Sequence, residues 1–288
     1  MNAANLRSAM LSYQHEYHAG NHADVLKHAV FVRVLSALLQ KDRPLRVFDA
    51  HAGSGLYDLG SREARRHVEH EGGIGRLLAA PAPPPALMAY LEAVRACNGG
   101  AALRRYPGSP WLARSLLRPA DQLVLMDLHP RALEVLRRRH GHDPQVHVHA
   151  RDCFEGLPAL LPPPERRGVV LVDPSYELKD DYARVVDLLA SCHRRWPTGV
   201  YLLWYPLLRD QPGERLPARV AALGIRRIYQ LAVEVEGRGF AGMRGSGMLV
   251  VNLPYGLDAE LEVLAPWLWR TLAVAGRGAA HAGWLVPE

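Results

Sequence analysis

Five short stretches hold residues whose types and spacing could do chemistry. The first is Asp49-Ala-His51-Ala-Gly53-Ser-Gly55, where the apolar run RVFD meets a turn. Glycines there let the backbone approach a ligand closely, and a helix that follows such a turn offers free N–H groups. The pattern departs from the dinucleotide G-x-G-x-x-G, because Asp58 stands where the third glycine would be. The second stretch is QLVLMD, ending on Asp127. An acid at a strand's end can accept hydrogen bonds from ribose hydroxyls. Alone it could equally cap the next helix; coupled to the Gly turn, the ribose role is favoured. Asp152, after VHVHAR, could accept from an adenine amine or cap a helix, and Cys153 beside it reads as packing.

Asp173-Pro174-Ser175-Tyr176, after the run GVVLV, is the sharpest signal. It puts a carboxylate, a backbone carbonyl and a π-face at one strand end. That set suits an exocyclic amine on a planar base. Asp173 and the Pro174 carbonyl can each accept one N–H, and Tyr176 can stack on the ring. The fifth stretch, LSYQHEYHAGNHADVLKH, gathers His15, His18, His22 and His28. Their spacing invites a zinc reading. No H-E-x-x-H-type pattern accompanies them, so no metal is expected. Instead Lys27 and His28 are expected near an anionic group, with Tyr13 and His15 facing a substrate. The alternative is a surface helix with assorted polar residues.

The elements that must position these residues are legible as strands alternating with helices. RVFDAHAGSG (46–55), QLVLMDLHP (122–130), VHVHARD (146–152), GVVLVDPSY (168–176), VYLLWYP (200–206), IRRIYQLAVEV (225–235) and GMLVVNLP (247–254) read as short buried strands. Continuous β-branched runs suit a parallel sheet covered on both faces, and the alternation points to a doubly wound α/β fold. The second strand waits until about residue 122, well beyond a βαβ unit of roughly 30 residues. The interval between is helix-patterned and split by APAPPP (80–85). It reads as a helical insertion over the sheet's carboxyl edge. The expected units are 1–57 (N-terminal segment and first strand), 58–118 (helical insertion) and 119–288 (the rest of the main domain).

The 288 residues are 49% hydrophobic and 22% charged, which excludes a disordered or fibrous chain. No apolar run reaches the roughly 18–20 residues of a membrane span, and MNAANLRSAM has no apolar signal region. The cysteines Cys97, Cys153 and Cys192 have no paired spacing, which fits a reducing cytoplasm. A formal charge of +6 suits a polyanionic partner. Abundant Arg, Ala and Pro from a GC-rich genome would explain it equally.

Taken together, the chain resembles the class I S-adenosylmethionine-dependent methyltransferases and, more narrowly, the RlmJ family. The resemblance rests on MLSYxHxYHAGNHADVLKH (10–28), HAGxGxY (51–57), YPGSPxxA (106–113), LHP (128–130), DPxYExKxDY (173–182), WYP (204–206), SGM (246–248) and the ending WLVPE. It implies a Rossmann-like fold with a helical insertion after the first strand, and methylation of the N6 amine of an adenine in 23S ribosomal RNA. Lys27, His28, His51, Ser109, Asp127, Asp152, Cys153 and Asp173 would line the S-adenosylmethionine site. Asp173, Pro174 and Tyr176 would be catalytic, with Tyr176, Tyr13 and His15 contacting the substrate. A cytoplasmic monomer with no membrane contact is implied, and residues 1–9 would contribute nothing to the site. The family usually has proline where Ser175 stands and often glycine where Cys153 stands. Rival readings are a DNA adenine or protein-glutamine N-methyltransferase, which can share a motif of this type, and a DNA-uptake nucleic-acid-binding protein with degenerate catalysis. The first lacks an apparent target-reading domain. Intact Asp173, Tyr176 and Asp127 argue against the second, while Ser175 gives it some room.

Overall fold

Successive side chains of a strand point to opposite faces, so a run apolar at every position needs cover on both sides. A computed structural model describes residues 15–209 and 212–288 and shows that arrangement. In chain order these residues form helix α1 (His22–Leu39), strands β1 (Arg46–Asp49) and β2 (Leu56–Asp58), helix α2 (Arg62–His67), a π-turn (Glu71–Gly75), helices α3 (Arg76–Ala79) and α4 (Pro85–Cys97), strand β3 (Arg105–Pro107) and helix α5 (Ser109–Leu116). Strand β4 (Gln122–Asp127), helix α6 (Pro130–His140), strand β5 (Val146–Ala150), helix α7 (Cys153–Leu160), strand β6 (Gly168–Val172) and helix α8 (Asp181–Arg195) follow. The chain continues through strand β7 (Val200–Leu208), helix α9 (Leu216–Ala221), strands β8 (Ile228–Glu234) and β9 (Met243–Val251), helix α10 (Leu257–Leu272) and strand β10 (Ala279–Val286). Val47, Leu123, Leu125, Val169 and Leu171 enter one core, while Phe48, Val124, Met126, Val170 and Val172 enter the other.

Eight strands pair in the order β10-β8-β9-β7-β6-β1-β4-β5. The run from β7 to β5 is parallel. The expectation of a parallel sheet fails beyond β7, because β9, β8 and β10 pair antiparallel. Residues 235–242 between β8 and β9 are too few for a parallel crossover, which needs roughly a dozen or more. The chain runs outward from β1 through β4 to β5, then returns to β6 on β1's other side. Such a switch point leaves a crevice at the carboxyl ends of these strands. Asp49 and Asp127 end β1 and β4, Asp152 follows β5, and Asp173 follows β6.

Helix α1 is apolar on nearly every side, as a helix buried all round must be. It packs against the sheet, α4, α5 and α10. Asn21 caps it, its side chain accepting from the N–H of Ala23 at 2.9 Å and of Asp24 at 3.0 Å. The inserted segment, expected to be helical over 58–118, also contains strands. It opens with a two-stranded antiparallel ribbon of β2 and β3, and α4 lies on α1. Its first helical run is broken. Val68 takes a left-handed conformation (φ 52°), and a Cβ at Gly73 would stand 2.1 Å from the Gly20 carbonyl oxygen. That close approach stitches the insertion to the start of α1, where the Ile74 N–H donates to Gly20 O at 2.9 Å. Among the described residues, no helix is long and apolar enough to cross a membrane.

Candidate active site

A pocket of about 330 Å³ opens at the crevice, within the size range of small-molecule sites, roughly 300–1,000 Å³. His15, Lys27, His28, His51, Ser109, Asp127, Asp152, Cys153, Asp173 and Pro174 all line it. Tyr13 lies outside the described residues.

The Gly turn forms the floor. Gly53 and Gly55 have φ of 59° and 73°, and a Cβ at Gly53 would strike the Tyr57 hydroxyl at 2.4 Å. The Asp127 carboxylate ties β4 to this turn, accepting from Gly53 N–H at 2.8 Å and His129 N–H at 2.7 Å. Each oxygen keeps further lone-pair capacity for a ligand. Asp49 is buried beneath the turn. Burial pushes its carboxyl up to about 7, while bonds from the Ser109 hydroxyl and the His51 N–H oppose the shift. Its Oδ2 has no partner among the described residues.

Asp152 takes the capping role raised as the alternative. It is the N-cap of α7, accepting from Phe154 N–H at 3.0 Å, and also pairs with Arg184 at 3.0 Å. The Arg184 guanidinium lies 3.7 Å over the Phe154 ring, which also lines the pocket. His51 bridges the turn to the Asp173 segment. Its Nδ1 accepts from the Asp173 N–H at 3.2 Å, so Nε2 faces Cys153 Sγ at 3.3 Å as the protonated nitrogen. Burial holds this imidazole below its ordinary pKa and so neutral. His28 is likewise held well below by burial and bonds the Tyr106 hydroxyl at 2.7 Å.

Lys27 is 5% exposed and lies between two carboxylates. It pairs with Asp173 and, at 2.9 Å, with Asp24. Burial works against its charge, but Asp173 and Asp24 outweigh it and keep the ammonium's pKa well above the ordinary value. Asp24 also accepts from His15 Nε2 at 2.9 Å. Neither Asp24 nor Asp49 was among the expected site residues. An acid three positions after Asn21 reads as part of a helix cap, and Asp49 could have been marked as the acid ending the first strand.

Tyr176 departs from its expected place. It is 7% exposed, outside the pocket lining, and belongs to the second core. Its ring lies 4.4 Å from that of Tyr182, and its hydroxyl donates to the Trp204 carbonyl at 2.7 Å. Trp204 itself lines the pocket beside Pro174 and Ser175. The N-terminal histidines take separate partners: His15 bonds Asp24, His18 bonds Glu69, and His28 bonds Tyr106. Among the described residues, no three His, Cys, Asp or Glu side chains are grouped to hold a metal.

Acids at the ends of adjacent parallel strands, a left-handed Gly turn and a sheet closed by antiparallel strands define a Rossmann-like fold, the kind that class I methyltransferases share. The family model for "Ribosomal RNA large subunit methyltransferase D, RlmJ" matches residues 42–286, and the chain belongs to the RlmJ family. It is 44% identical to ribosomal RNA large subunit methyltransferase J of Escherichia coli and 41% identical to that of Haemophilus influenzae. Each match covers 97% of this chain and all of the relative. A crystal structure of a Legionella pneumophila protein superposes with a TM-score of 0.85 at 31% identity, over 93% of this chain and 98% of that one. Membership and fold imply S-adenosylmethionine as methyl donor.

Proposed function

We propose that this chain transfers the methyl group of S-adenosylmethionine to the N6 amine of an adenine in 23S ribosomal RNA; the names of its relatives support methylation of large-subunit ribosomal RNA, and the Asp173-Pro174 acceptor pair supports an exocyclic amine as the target. The observation that carries the reading is Asp173. It follows a parallel strand, lines the pocket, is ion-paired to buried Lys27, and precedes Pro174. The pocket fits the donor: Asp127 keeps acceptor capacity for ribose hydroxyls, and the left-handed turn at Gly53 brings backbone to the pocket wall. When bound, the cofactor supplies an electrophilic methyl on a positively charged sulfur.

An adenine amine is a poor nucleophile because its lone pair is delocalised into the ring. Asp173 and the Pro174 carbonyl would each accept one of its N–H groups, drawing the nitrogen toward sp³ geometry and aiming its lone pair. Most of the acceleration is positioning and electrostatic complementarity. Asp173 need not take a proton before attack; the product ammonium releases one afterwards. Pro174 and Trp204 supply apolar surface for the base, and Tyr176 supports them from beneath through its bond to the Trp204 carbonyl.

Methyl transfer from labelled cofactor to 23S RNA, with nucleotide mapping, tests this reading. Asp173→Ala should abolish transfer. Asp173→Asn keeps one acceptor oxygen but loses the charge, and should fall at least ten- to hundredfold, at roughly 1.4 kcal/mol per tenfold. Ser175→Pro should be neutral or mildly activating, since it only stiffens a turn whose acceptors are present. Near-wild-type turnover by Asp173→Ala would sink the mechanism.

A further inference from the structure

We propose that Asp24 determines the pocket's preference for the positively charged methyl donor over its neutral demethylated product. The inference rests on the S-adenosylmethionine reading above. Asp24 is 2% exposed and occupies the third position of α1. Its Oδ2 accepts from Gly20 N–H at 2.9 Å and from His15 Nε2 at 2.9 Å. Its Oδ1 takes the Lys27 ammonium at 2.9 Å, and the same ammonium pairs with Asp173.

Capping the start of α1 requires only a neutral acceptor, and an asparagine would provide one. A buried charge is costly unless paired, so the carboxylate of Asp24 needs a further account. Two carboxylates share one ammonium here, and the three groups together carry one net negative charge. Burial works against ionisation of Asp24, but His15 and Lys27 hold its carboxyl well below the ordinary range. All three groups line the pocket. The donor's sulfonium is positive, and the product S-adenosylhomocysteine has a neutral thioether in its place. The Asp24 carboxylate makes this buried wall one charge more negative, which favours the first over the second. That difference would promote product release as well as donor capture.

Calorimetry with S-adenosylmethionine and S-adenosylhomocysteine tests the assignment on the full chain. Asp24→Asn keeps the bond from Gly20 N–H and removes the charge. Its affinity for the donor should fall at least tenfold relative to the product, with product affinity nearly unchanged. Lys27→Met should shift the ratio the opposite way, and the double variant should return it toward the wild-type value. Charges common to all variants cancel in this comparison. If Asp24→Asn does not fold, the direction of the Lys27→Met shift decides. A donor-to-product ratio unmoved by either single substitution, even with both affinities weakened, would overturn the assignment and leave Asp24 a structural cap. A wild-type protein that binds neither compound would overturn the cofactor reading itself.

Discussion

Asp127 accepts two backbone N–H groups and so is oriented before any ligand arrives. An acceptor fixed in this way loses little freedom on binding. Asp127→Ala should therefore weaken S-adenosylmethionine by the value of a charge-assisted hydrogen bond, about 1.5–3 kcal/mol, read by calorimetry on folded protein. Unchanged affinity would remove Asp127 from the ribose role. Asp127 and Asp173 stood out in the sequence as acids at the ends of apolar strands, and Lys27 by its place in the histidine-rich N-terminal stretch; all three line the pocket. Asp24 was not legible, since its sequence context is that of an ordinary helix cap. Tyr176 was misread for a physical reason: the left-handed turn at its own backbone (φ 54°) aims the ring into the core rather than the pocket.

At the scale of elements, the site depends on how α1 begins. Its first two turns carry both Asp24 and Lys27, so its N-cap sets where the ammonium stands. Asn21 accepts two N–H bonds through its side-chain oxygen, and its amide donates to Glu69 of the insertion at 2.9 Å. Asn21→Ala should cost about 1–2 kcal/mol for the cap together with the Glu69 bond. Urea unfolding at an unchanged denaturant slope would report it, and turnover should fall with it. A stability loss with full turnover would show that Lys27 is held by its carboxylates alone. Strands β1, β4 and β6 were readable as short apolar runs that end on an acid or just before one, and β7 as a continuous apolar run. Strands β8 and β9 were readable as strands but not as antiparallel ones, and the β2–β3 ribbon and β10 were not readable. Three-residue strands such as β2 have no period to detect, and AAHAGWLV is built largely of small residues that carry little strand preference.

For the whole molecule, buried and half-buried histidines set the response to acid. Burial lowers His22 to about 4, and it also lowers His28, His51, His140, His149 and His193. Each gains its proton more readily when unfolded, so their stability contribution is present above about pH 6.5 and lost as pH falls below it. His18, raised chiefly by its bond to Glu69, works the other way, as do the carboxyls of Asp49 and Asp181, raised by burial. The six outnumber the three, so the thermal midpoint should drop between pH 7 and 5; a rise would show that these imidazoles are not held neutral. The same scale governs the approach of RNA. The net charge of +6 becomes directional only if arginines gather near the pocket mouth. Helix α2 exposes Arg62, Arg65 and Arg66 and packs on the 15–17 turn, whose His15 and Glu16 line the pocket. The ring of Tyr17 in that turn lies 6.0 Å from that of His67. Each arginine that neutralises a phosphate releases counterion and steepens the salt dependence of binding by roughly 0.7–0.9 in the log–log slope. Replacing the three by Gln should flatten the slope for 23S RNA by about 2–3 while leaving S-adenosylmethionine affinity unchanged. An unaltered slope would place the phosphate contacts on another face and leave the α2 arginines as solvated charge.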